Sequence, residues 1–420
     1  MPQLSALARS GRFFPNCYAN ATHSDYSDPC ILSSLYPARS ERPHYYRRDD
    51  PWPKVLLPDP FKRAGYGTAM FSSQNEAWSN MHLFYESGDF DVFFDSRTYK
   101  GSSLPEKGYF TRWMNETGQI AGKLDDAVTM EHAINWIQGR EKRPFCMAMN
   151  LQASHFPYER PDGVKGPFEP GVINFSAGFT NYPSDKAHIV QNAYFNSLQY
   201  VDMQIGRLVE FLDSSRLRAD TILVITGDHG ESFHEDGICG HGRFPVEAVL
   251  KVGLIVNYPK AVSASIDAHL SQAIDILPTI SQLAGLPPEP AFQGIDILAS
   301  DRPPAQARLV FVHCWNPAVK IDAVIAGTGW KYINDVKRMQ RQLQLNPSVS
   351  GPNPNLRTVH PEVAEILHEI IETWHARQIA YYQRPRYYNL FHPPRDPQLS
   401  EAQRTTLLRA ARTPADGSFK

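Results

Sequence analysis

A chain of 420 residues with 42% apolar and 20% charged side chains can bury a large core, which argues against a disordered or fibrous polypeptide. The net charge of −2 gives no broad attraction to nucleic acid or to an anionic membrane. Five scattered cysteines without a Cys-x-x-Cys pair argue against a zinc knuckle or a disulfide framework. No run of about eighteen apolar residues occurs, so no membrane span is expected. Met1-Pro2-Gln3-Leu4 carries no basic-then-apolar leader, which reads by default as a cytoplasmic protein.

Residues 18–29 form a polar loop leading into a short helix. Any hydroxyl nucleophile there needs a base or a metal to activate it. A helix is expected around Ala127–Gln138, followed by a buried strand at Phe145–Leu151 that ends in Gln152-Ala153-Ser154-His155. Leu198, Val201, Ile205, Leu208, Val209 and Leu212 recur at helical spacing. After a polar break, Thr221–Thr226 is a continuous β-branched run, apolar on both faces, which reads as a buried parallel strand. Val252–Asn257 is read as a third such strand and Leu309–His313 as a fourth, with a helix at Asp275–Ala284. Strands alternating with helices predict an α/β fold whose ligands sit at the strand C-terminal ends.

The pattern changes past about residue 305. A hairpin around Gly327-Thr328-Gly329, a loop at Asn346–Asn355 and a strong helix at Pro361–Tyr382 read as a small α+β subdomain. The expected division is 1–305 for the main domain, 306–385 for the subdomain and 386–420 for a tail.

Gly227-Asp228-His229-Gly230 directly follows the Thr221–Thr226 strand. A carboxylate beside an imidazole between glycines can offer two ligands to one cation; the plainer reading is a turn that caps the next element. His241, in Gly240-His241-Gly242, is a candidate to bind an anionic oxygen or protonate a leaving group. His155 follows a strand end in the same way. The plainer readings are a surface-loop histidine and a hydrogen-bonded core histidine.

The order of these motifs resembles the sulfatase family of the alkaline-phosphatase-like superfamily. The similar stretches are Met1–Tyr18, Leu32–Pro37, Gly65-Tyr66-Gly67-Thr68, Asn150–Pro161, Tyr200–Glu231, Gly240–Gly242 with Glu247 and Lys251, Ile274–Gly294 and Trp330–Ile333. The resemblance implies a mixed, mostly parallel sheet sandwiched by helices, and hydrolysis of sulfate or phosphate esters of a small molecule or glycan. It also implies a divalent metal (Ca, Mg, Mn or Zn) held by Asp228 and His229. His155, His241 and Lys251 would then contact substrate, and the catalytic position falls on Ser24.

The chain departs from the family pattern in three ways. Ser24-Asp25-Tyr26-Ser27-Asp28 lacks the proline and arginine of the Cys-x-Pro-Ser-Arg motif whose cysteine becomes formylglycine, so Ser24 would attack directly. Ser73 stands where many members have a substrate-binding lysine. The family's first strand, with its paired Asp ligands, has no counterpart ahead of the matched segment. The metal site is therefore expected to be incomplete and activity weak, unless Asp25 or Asp28 supplies a ligand. Two rival functions are a phosphotransferase of the same superfamily and a degenerate member that binds an anionic glycan. Specificity is expected to lie in loops at Asp89–Gly118 and Asp162–Pro183.

Overall fold

The computed structural model describes residues 1–37, 52, 54–101, 123–140, 143–315, 319–350, 353–384, 386 and 391–412. Part of the expected specificity loop, residues 102–118, lies outside them. The strands that matter are β1 (Arg12–Phe14), β2 (Gly67–Ser72), β3 (Val92–Phe94), β4 (Phe145–Asn150), β5 (Leu223–Thr226), β6 (Leu254–Asn257) and β7 (Ser265–Ile266). The C-terminal strands are β8 (Leu309–Trp315), β9 (Lys320–Ala326), β10 (Trp330–Asp335) and β11 (Gln340–Leu345). The helices are α1 (Pro2–Ser10), α2 (Ser24–Ser33), α3 (Asp126–Gly139), α4 (Ala187–Ser214), α5 (Ile276–Leu283), α6 (Pro361–Tyr382) and α7 (Glu401–Ala410).

β2 lies between β3 and β4, all parallel, with Gly67 opposite Phe145 and Ser72 opposite Asn150. A second sheet runs β7-β1-β6-β5. α4 buries Val190, Ala193, Ser197, Tyr200, Gln204 and Leu208, at the three-to-four-residue spacing of a one-sided helix. Leu208 and Leu212 share an apolar cluster with Met130 and Ile137 of α3, against which Phe145, Met147 and Met149 of β4 and Leu223 of β5 pack. The α/β architecture, mostly parallel around β4 and with helices packed against it, is the one expected.

Three expectations need correction. The strand at 252–257 is antiparallel to β5, with Leu223 opposite Asn257 and Thr226 opposite Leu254. A parallel return needs a crossover connection, usually a long helix. Between β5 and β6 the chain has only a two-residue ladder and the four-residue helix Glu247–Leu250. Second, Leu309–Trp315 does not join the main sheet. It pairs antiparallel with β9, because four residues are room for a hairpin but not for a crossover. Third, β4 and β5 are half-buried along their whole length rather than fully buried. Among the described residues each pairs on one side only, so one edge of each stays open.

β8–β11 form an antiparallel meander in which the expected hairpin pairs Val324 with Tyr332. α6 covers it with Val363, Leu367, Ile371 and Trp374. Residues 386–420, read as a tail, contain α7, which opens on a capping box between Ser400 and Gln403. Leu407 and Ala410 of α7 join the same core, and the Trp330 indole donates to the Leu407 carbonyl at 2.9 Å.

Candidate functional site

Ser24 is the first residue of α2, with His23 in extended backbone just before it. This places the hydroxyl at the positive end of a ten-residue helix, where free N–H groups favour an anion. Ser24 Oγ is 3.1 Å from His229 Nε2. His229 Nδ1 is 2.8 Å from the Gly230 carbonyl, to which it can only donate. With Nδ1 so engaged, Nε2 is the ring nitrogen that faces the serine. Asp228 Oδ2 lies 3.3 Å from the same nitrogen.

These separations suit a shared cation. Ligand atoms bonded at about 2.1 Å with octahedral to tetrahedral angles stand roughly 3–3.4 Å apart. Asp28 is a nearby carboxyl. Burial pushes it well above the usual carboxylate range, and the negative charges of Asp228 and Glu76 push it further. A divalent cation would relieve that repulsion, and Asp228 and His229 are placed as two donors to one; Asp28 feels the Asp228 charge, but among the described residues the three do not form a converging ligand set.

His241 is buried and sits between two glycines in left-handed backbone, at φ 79° and 84°. A Cβ on Gly240 would stand 2.6 Å from the Phe179 carbonyl, and one on Gly242 would stand 2.8 Å from the His23 ring. Only glycine lets the loop press this close. The His241 ring centroid is 4.0 Å from that of His229, 5.8 Å from His155 and 5.6 Å from His23. Burial, and then the neighbouring imidazoles, hold His241 well below its ordinary pKa, so it stays neutral. Its Nδ1 is 3.2 Å from Glu231 Oε1. Burial pushes Glu231 up to about 8 even though the Tyr158 hydroxyl donates to it. At neutral pH the proton therefore rests on Glu231, which donates to His241 Nδ1. His241 is then the tautomer with its hydrogen on Nε2.

His155 Nδ1 lies 2.8 Å from the Phe156 carbonyl. Burial and then the Lys123 ammonium push His155 well below its ordinary pKa. Lys123 Nζ, 3.2 Å from His155 Nδ1, donates to the carbonyls of His155 and Phe156 at 3.1 and 2.9 Å. Burial opposes the charged form of His23, but Asp25, 2.7 Å away, outweighs it and raises the pKa. The His23 ring stacks on Trp78. His23, Ser24, Lys123, His155 and His241 all line one cavity of about 500 Å³. Part of the expected loop at 162–183 also lines it, including Val172, Phe175 and Phe179.

Of the residues singled out from sequence, Ser24, His155, Asp228, His229 and His241 converge. Lys251 is exposed and is not among the cavity's lining residues. Ser73 is buried, and its hydroxyl donates to Thr129. Cys30 is buried, with its thiol on the Tyr26 carbonyl one helical turn back. Sequence reasoning missed Lys123, His23, Glu231 and the placement of Asp28. His23 and Asp28 flank the Ser24 run and Glu231 follows the Asp228-His229 pair, so their positions were a signal. Lys123 belongs to no motif.

The sulfatase family model matches residues 1–286. The uncharacterized sulfatase YidJ of Escherichia coli K12 is 24% identical over 303 residues, covering 62% of this chain and 59% of that protein. An N-acetylglucosamine-6-O-sulfatase of Bacteroides thetaiotaomicron is also 24% identical, covering 70% of this chain and 65% of its own length. The chain thus spans about three-fifths of the length of the curated relatives it matches. Among solved structures, BT4656 in complex with its substrate D-glucosamine-2-N,6-O-disulfate superposes with a TM-score of 0.66 at 19% identity, covering 90% of this chain and 93% of that one. Sulfatases are generally metal-dependent. With the family model matched over well more than half its length, the chain belongs to the sulfatase family.

Proposed function

We propose that this chain is the core of a metal-assisted hydrolase of sulfate or phosphate monoesters, with Ser24 as nucleophile. The observation that carries the reading is the 3.1 Å approach of Ser24 Oγ to His229 Nε2, beside a cavity lined by three histidines and a lysine. Residues 1–305 would form the catalytic unit and 306–385 a subdomain packed on it. A sulfated amino sugar is the favoured substrate, because two similar proteins are described with N-acetylglucosamine-6-O-sulfatase activity or a glucosamine disulfate substrate.

Asp228 and His229 would hold the divalent cation, with Asp28 near enough to feel the Asp228 charge. When bound, it supplies positive charge to the serine oxygen and the ester oxygens. Lys123, through its position against His155, and the N-terminus of α2 add fixed positive potential where the anionic ester must sit. Ser24 gives up its hydroxyl proton to water in the cavity as Oγ forms a bond to sulfur or phosphorus, and the bond to the sugar oxygen breaks. That oxygen takes a proton from His241 Nε2, with Glu231 returning one to Nδ1. Water then displaces Ser24 and releases inorganic sulfate or phosphate. The resting nucleophile is a serine hydroxyl and not formylglycine, since the residues after Ser24 lack the proline and arginine of the formylglycine motif.

The test is release of sulfate from glucosamine 6-sulfate, and of 4-nitrophenol from its sulfate and phosphate esters, by the chain and by Ser24→Ala. Metal-dependent release that vanishes in the variant supports the reading. Product that forms only when an alcohol acceptor is added would assign the chain to phosphoryl transfer instead. Sugar-sulfate binding without turnover would make it a degenerate binder.

A further inference from the structure

Among the described residues outside the cavity, one cluster has the chemistry of a metal centre. His313 on β8, Asp322 on β9 and His375 on α6 each offer one ligand atom, and these atoms lie within 4.8 Å of one another. His313 Nδ1 is 2.6 Å from Asp322 Oδ1, and His375 Nδ1 is 3.1 Å from Asp322 Oδ2. Register makes the first contact, because His313 stands directly opposite Asp322 in the β8–β9 ladder. α6 brings in the third group. The side chains of His313 and Asp322 are 2% and 5% exposed, so this carboxylate sits in a low-dielectric interior where ionising it alone is costly. Trp315 walls the cluster, with its ring centroid 5.1 Å from His313 and 4.8 Å from His375.

We propose that His313, Asp322 and His375 form a second metal site, taking a borderline divalent cation of the zinc type. Two imidazole nitrogens and one carboxylate oxygen are the donor set that zinc prefers, whereas calcium and magnesium take oxygen. The site is structural in its placement. It joins two strands and a helix, and it lies under the loop that carries the nucleophile. The His313 N–H donates to the Asn20 carbonyl at 2.9 Å, and the Thr22 hydroxyl contacts the Cys314 thiol at 3.3 Å, just ahead of Ser24. A cation here would fix α6 to the sheet and, through β8, steady the 20–24 loop.

The experiment uses the full chain carrying Asp228→Ala and His229→Ala, so that the first site no longer competes. Calorimetric titration with Zn²⁺ should show one equivalent bound with a Kd near or below about 1 μM. Adding His375→Ala should weaken binding at least tenfold, and His375 is the least buried of the three, so this variant has the best chance of folding. Co²⁺ loaded into the same background should give the intense visible bands of a low-symmetry site with nitrogen ligands. These bands report on the site even if the His375 variant misfolds. No Zn²⁺ binding, binding that His375→Ala leaves unchanged, or a Co²⁺ spectrum of the hexa-aqua type would overturn the proposal. In that case the three side chains are only a hydrogen-bonded triad around a buried carboxylate.

Discussion

The Ser24 hydroxyl and His229 Nε2 stand 3.1 Å apart although 205 residues separate them in the chain. The helix start of α2 fixes one partner, and the loop after β5 fixes the other, whose ring is turned by its bond to the Gly230 carbonyl. Removing either side chain leaves the other's scaffold in place.

Ser24→Ala is therefore expected to lower kcat/KM by about a thousandfold or more while leaving the fold intact, since a nucleophile acts on the reaction and not on the packing. Steady-state kinetics beside circular dichroism checks both halves. Mass spectrometry of the Ser24 peptide should find an unmodified serine, and an aldehyde there would refute direct attack.

Activity should fall as pH rises through about 8. Below that value Glu231 is protonated and holds the His241 hydrogen on Nε2, facing the cavity. Above it the ionised carboxylate draws the hydrogen to Nδ1, and the leaving oxygen loses its donor. Glu231→Gln keeps a permanent N–H toward His241 Nδ1, so its profile should lose this alkaline limb. An unchanged limb in the variant would assign the ionisation to another group.

Lys123→Met should weaken competitive inhibition by inorganic sulfate or phosphate by about 10- to 100-fold, the range expected for losing one charged contact of roughly 1.5–3 kcal/mol. Inhibition constants measured at fixed ionic strength decide this. Equal constants would confine Lys123 to its hydrogen bonds with the His155 and Phe156 carbonyls.

Divalent cations should bind the first site weakly, with Kd above about 10 μM. Asp228 and His229 supply only two strong ligands, and Asp28 is held toward its neutral form. Calorimetry with Mn²⁺ should show this binding lost in Asp228→Ala and further weakened in Asp28→Asn. Tight stoichiometric binding would show that the site is complete without further carboxylates.

Lys331 and Glu247, each 1% exposed, pair at 2.8 Å between the C-terminal sheet and the segment after His241. The Tyr18 hydroxyl also donates to Glu247. Lys331→Met leaves a buried carboxylate without its cation and should cost about 3–5 kcal/mol in urea unfolding. The double variant Lys331→Met/Glu247→Leu should recover most of that loss. If it does not, packing rather than charge dominates here.

Much of this protein was determined by local chemistry that a sequence displays. The β-branched run before Thr226 makes a strand by itself, and Pro361 with the apolar face from Val363 to Trp374 makes a helix whose ends match the expectation. Asp228, His229 and the glycines about His241 declared a site because polar groups after a strand or between glycines have few structural uses. Tertiary structure alone decided the direction of β6, the sheet that β8 joins, and the open edges of β4 and β5. These depend on connection length and on which backbone finds a partner, and side-chain pattern encodes neither. The same holds for Lys123 at His155 and for His375 at Asp322. Each joins a residue that carries no motif to a group far along the chain, and only packing brings them within reach.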